Sequence, residues 1–99
     1  MDLKMKDAVR TVGQLLLHRP TTGTFADDCE GNPVLADSKE AYCFCFLGAI
    51  LAVSDKLHVN VADLGSLCSS ISGCTGMYAW DTGRMSAQKL YALKLADYQ

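Results

Sequence analysis

The sequence predicts a mainly α fold with a small β part (α+β): about four helices packed around a central buried helix, with a small β-hairpin after the first helix. Three observations predict it. Apolar residues recur at three- and four-residue spacing from Leu3 onward, thirteen successive residues from Ala41 to Val53 carry no charge, and two short extended pieces between Thr21 and Asp37 flank Gly31-Asn32. With 99 residues there is chain for one core and hence one compact domain, 1–99.

The first helix spans about residues 3–18. Leu3, Met5, Ala8, Val9, Val12, Leu15 and Leu16 make its apolar stripe, and Asp2, Lys6, Arg10 and Gln14 fall on the other side. Pro20 stops it, and His18 with Arg19 in the last turn suits the negative end of the helix dipole. Residues 21–36 then read as an irregular hairpin with an acidic tip, Asp27, Asp28 and Glu30. A calcium loop fails on register, because placing Gly31 at the sixth position puts Ala26 where the first carboxylate ligand must stand.

The central helix is expected over about 38–56, capped by Asp37 or Ser38. A helix made of the uncharged run is roughly 20 Å long, against the roughly 30 Å of a bilayer core, so it is a buried helix and not a membrane span. Tyr42, Cys45, Phe46, Ala49 and Val53 form one stripe, with Cys43, Leu47, Ile50 and Leu51 covering much of the rest. Gly48 inside it predicts a close backbone neighbour, with the first helix as the expected one.

A third helix follows over about 60–73. Asn60 and Asp63 resemble a capping box, Val61, Leu64, Leu67, Cys68 and Ile71 are its buried stripe, and Gly73 ends it. Residues 74–85 read as a loop. The last helix, about 86–97, starts at a Ser86 cap and closes the bundle with Leu90, Ala92, Leu93 and Tyr91 or Leu95.

The net charge of -2 argues against a phosphate-dominated nucleic-acid binder. A helix-turn-helix built from the last helices would have only Arg84, Lys89 and Lys94 for phosphate contact. Charge already alternates with apolar residues in Met1-Asp-Leu-Lys-Met-Lys-Asp, so neither a secretory signal nor an anchor is expected, and the expected address is the cytoplasm. Five cysteines, Cys29, Cys43, Cys45, Cys68 and Cys74, read as reduced thiols. Cys43, Cys45 and Cys68 act as small buried hydrophobes, and without a C-x-x-C no metal or cofactor is expected.

Two places invite a functional reading. Met77 to Arg84 holds the single tryptophan, Trp80, with Asp81 and Arg84, and polar loops with one large aromatic often carry recognition. The alternative is that Trp80 plugs the core while Asp81 caps a turn and pairs with Arg84. Cys74 would serve as a nucleophile only with a base, for which His58 is the nearest histidine in sequence.

The set Ala26-Asp27, Gly31-Asn32-Pro33-Val34, Phe44 to Ile50, and Trp80-Asp81 through Arg84 resembles a family of small uncharacterised domains of actinobacteria and their phages. That family carries an Ala-Arg-Asp-x-x-Gly-x-Pro-Val hairpin, a Trp-Cys-x-x-Gly-Ala-Leu helix, and a Trp-Asn-Asp segment before the last helix. Here Phe44 stands at the first tryptophan, no asparagine follows Trp80, and the stretch to Arg84 is shorter. The resemblance covers roughly residues 22–97 and implies the fold and a phage-like context.

The expected function is a non-enzymatic protein-interaction module, a phage accessory or anti-defence protein binding a host or phage protein through Asp27, Asp28, Glu30, Trp80, Asp81 and Arg84. The rivals are a small ligand-binding or enzymatic domain using Cys74, His58 or Asp81, and the helix-turn-helix regulator. Homo-oligomerisation is compatible with each.

Overall fold

The computed structural model describes residues 3–99. Among them are five helices and a small three-stranded antiparallel sheet, so the chain is mainly α with a small β part. None of the described helices is long and apolar enough to cross a membrane.

Helix α1 (Leu3–His18) buries Ala8, Val9, Val12 and Leu16 of the predicted stripe, together with Gly13, which lay outside it, and leaves Leu3 exposed. It packs against three other helices and one strand, and so shares the centre of the molecule with the second helix. Its last turn closes with the Arg19 amide donating to the Leu15 carbonyl at 2.9 Å, after which Pro20 ends the helical pattern.

Strands β1 (Ala26–Asp27) and β2 (Pro33–Val34) form the expected hairpin, with Ala26 opposite Val34. In its connection, residues 28–32, Gly31 stands at φ +88° in the left-handed region and the Asp28 amide donates to the Asn32 carbonyl at 2.8 Å. The structure adds a third strand. Strand β3 (Cys43–Phe44) pairs with the other edge of β1, giving the order β2-β1-β3.

That third strand corrects the predicted start of the central helix. Helix α2 runs Phe46–Leu57, so Ala41 to Phe44 are not helical, and Tyr42 is exposed instead of sharing a helical stripe. The cap is neither Asp37 nor Ser38 but Cys45, whose Sγ accepts from the Gly48 amide at 3.3 Å. The physical reason is backbone demand on both sides of the segment. Tyr42 and Cys45 amides donate to the Asp27 and Phe25 carbonyls, while Phe44 exchanges hydrogen bonds with Arg19 and Thr21. An uncharged run of this kind has no periodicity to separate strand from helix.

The close neighbour of Gly48 is the Phe25 backbone and not α1, since a methyl group at Gly48 would collide with the Phe25 carbonyl oxygen. The glycine pressed between helices is Gly13 of α1. Helix α2 ends at His58, which adopts the left-handed conformation at φ 56°.

Helix α3 (Val61–Ser72) is capped as its sequence predicts. The Asn60 side chain accepts from the Asp63 amide at 3.0 Å, and Gly73 at φ 82° donates its amide to the Ser69 carbonyl. Leu64 and Cys68 are buried, whereas Val61 of the expected stripe is exposed. Within the expected loop lies a short helix, α4 (Met77–Thr82), flanked by Gly76 and Gly83. Helix α5 (Met85–Ala96) follows, with Arg84 in place of Ser86 at the cap position. It buries Ala92 and Leu95 and leaves Leu90 exposed, because it runs antiparallel to α1 with the backbone of Leu95 and Ala96 against Gly13.

Candidate functional site

Two of the three carboxylates of the acidic hairpin tip are taken up by neighbouring groups of the same chain. Asp27 accepts from the hydroxyls of Thr21 and Thr24, both at 2.7 Å, tying the tip to the segment after α1. Asp28 Oδ1 accepts from the Asn32 and Glu30 amides at 2.8 and 2.9 Å, the arrangement by which aspartate fixes a turn. These bonds, led by that from the Asn32 amide, hold the Asp28 carboxyl below its ordinary value of 3.8. Only Glu30 presents a carboxylate without such a role.

Trp80 is fully buried, which removes it from any contact surface. Its Nε1 donates to the Thr21 carbonyl at 2.8 Å, its ring centroid lies 6.2 Å from that of Phe46, and its carbonyl accepts from Gln88 Nε2 at 2.7 Å. An indole with its N–H satisfied and its faces covered is a core plug. Asp81 reaches the Gly23 amide at 3.4 Å instead of pairing with Arg84. Arg84 is exposed at the start of α5. The six predicted residues are therefore not assembled into one surface. Three of them, Asp27, Asp28 and Asp81, anchor loops, Trp80 is core, and Glu30 and Arg84 are exposed.

The nucleophile reading fails on distance. His58 precedes α3 and Cys74 follows it, so twelve helical residues, about 18 Å, separate them. Cys74 is buried, its thiol donates to the Gly76 carbonyl at 3.4 Å, and burial raises its pKa. Burial likewise raises Cys45 and pushes Cys68 up to about 12. These are packed thiols, unlike Cys29, which is exposed at the hairpin tip, and Cys43, which is half-buried and not the core residue expected. Among the described residues no three or more His, Cys, Asp or Glu side chains are grouped to hold a metal ion.

The surface feature that sequence reading missed lies beside α2. Phe25, Leu35 and Val61 are 44%, 74% and 40% exposed, and all three border one groove of about 460 Å³ that also includes Leu51. Asp37 and Asp55 supply its charges. Its walls come from the hairpin, the loop after β2, α2 and the start of α3. No sequence window contains it, and the only signal was apolar residues outside the predicted stripes, Phe25 and Leu35. A second cleft, of about 530 Å³, lies where α1 ends and α5 begins, between Leu16, Leu17, Pro20 and Met85; its lining includes none of Cys74, His58 and Asp81. No family model matches the chain, and no curated protein or solved structure matches it either.

Proposed function

We propose that this chain is a small non-enzymatic protein-interaction module whose contact surface is the groove between Phe25, Leu51 and Val61. The observation that carries the proposal is the convergence of exposed large apolar side chains on one concavity of about 460 Å³. Apolar surface left in water costs about 25 cal/mol per Å², and a contiguous patch of it marks a binding surface more often than a scattered residue does. Cys74 is buried, and His58 stands at the other end of α3 from it. The resemblance to actinobacterial and phage domains supports a bacterial host protein as the partner and an accessory or anti-defence role.

The test is site-specific photo-crosslinking in host lysate from Val61, with exposed Lys94 on α5 as the control position. One host protein crosslinked at position 61, absent from position 94, and released when Phe25→Asp is introduced, is the expected result. Equal crosslinking from both positions, or indifference to the Phe25 change, removes the groove as the contact surface.

A further inference from the structure

The groove between Phe25, Leu51 and Val61 carries charge of one sign. Its charged residues are Asp37 and Asp55, both exposed, and among the described residues no lysine or arginine lines it. Neither carboxylate is taken up within the chain, since among the described residues no hydrogen bond or ion pair involves either side chain. Arg19, Lys39 and Lys56 line a neighbouring cleft instead, where they and the same two aspartates make a field of mixed sign. An apolar surface whose only charges are two unpaired carboxylates selects a partner that brings apolar area and positive charge together.

The backbone that the partner brings is constrained as well. No residue of β1, β2 or β3 lines the groove, so a peptide cannot enter it as an added strand, and the Ser54 hydroxyl already donates to the Val59 carbonyl. An extended segment laid on this apolar floor would desolvate its own amides and carbonyls, whereas an α-helix satisfies its backbone internally. We infer that the occupant is a cationic amphipathic helix of the partner protein. Its apolar stripe lies against Phe25, Leu35, Leu51 and Val61, and its lysines or arginines reach Asp37 and Asp55. The inference rests on the groove being the contact surface and adds the class of element that the groove takes.

Fluorescence anisotropy with two synthetic helical peptides tests it, one with a leucine stripe and a polar face of lysine and arginine, the other with the same stripe and a glutamate face. The cationic peptide is expected to bind about tenfold more tightly or better, and added salt narrows the difference. Asp37→Lys with Asp55→Lys reverses the preference, and its gain of the glutamate peptide shows that the variant is folded. Glu40→Lys with Asp97→Lys makes the same change of net charge at exposed positions outside the groove and keeps the original preference. Equal binding of the two peptides, or binding of neither, overturns the inference, as does a preference that responds alike to both double variants. A host protein crosslinked specifically at Val61 but indifferent to the Asp37 and Asp55 changes overturns this inference alone, whereas loss of that specificity removes the groove and this inference with it.

Discussion

The Trp80 indole N–H donates to the Thr21 carbonyl at 2.8 Å across 59 positions of sequence, joining α4 to the segment that leaves α1. With Phe46 against the ring and Gln88 on the Trp80 carbonyl, one residue connects four parts of the chain. Trp80→Phe keeps most of the ring contact and strands the Thr21 carbonyl, so a loss of about 1–3 kcal/mol is expected. Trp80→Ala should cost about 3–5 kcal/mol. Urea denaturation followed by far-ultraviolet circular dichroism measures both without relying on indole fluorescence.

Two glycines inside helices should respond oppositely to the same substitution. Gly65 in α3 has open space where a methyl group would go, so Gly65→Ala is expected to stabilise by up to about 1 kcal/mol through helix propensity. At Gly13 the added methyl collides with the Ala96 backbone, and separating α1 from α5 outweighs that gain. Thermal melts should therefore move up for Gly65→Ala and down for Gly13→Ala. Equal shifts would mean that α1 and α5 are less closely packed than described.

The contrast between those glycines shows what the amino-acid sequence can reveal. Asn60, Asp63 and Gly73 act on their own backbone within one turn, so the limits of α3 were readable. The stripe of α1 was readable for the same reason. The boundary at Cys45 was not, because Asp37 and Ser38 are better caps by preference and the deciding factor was the second edge of the β1 segment, where the Asp27 and Phe25 carbonyls accept from the distant Tyr42 and Cys45 amides. Trp80 admitted two readings until its burial was known, and the Phe25–Leu51–Val61 groove is assembled from segments that share no local pattern.

Thiol reactivity should divide the five cysteines by environment. Cys29 is exposed and should react with a disulfide reagent in the native protein. Cys45, Cys68 and Cys74 are buried with raised pKa values, which disfavours the reactive thiolate, so they should label only at the rate of unfolding. Mass spectrometry of timed labelling reads this directly, and fast modification of Cys68 would contradict its place in the core.

The turn at Asp28 predicts a pH dependence with a definite sign. Its folded carboxyl titrates below 3.8, so its contribution to stability is complete above that value and is lost as pH falls through the lower, folded value. Asp28→Asn should lower stability at neutral pH. The gap between wild type and variant should be constant down to about pH 5 and narrow below it. Nuclear magnetic resonance titration of the Asp28 side chain gives the folded value itself.

Helices α1 and α5 lie side by side, and the Arg10 side chain reaches the Tyr98 carbonyl across 88 positions of sequence. During synthesis on the ribosome the apolar stripe of Val9, Val12 and Leu16 therefore precedes α5, and the packing around α1 is complete only once α5 follows. Such distant pairings raise the contact order above that of a helical bundle whose neighbours follow one another, and slow folding accordingly. The nascent chain must keep that stripe shielded from other chains until α5 emerges.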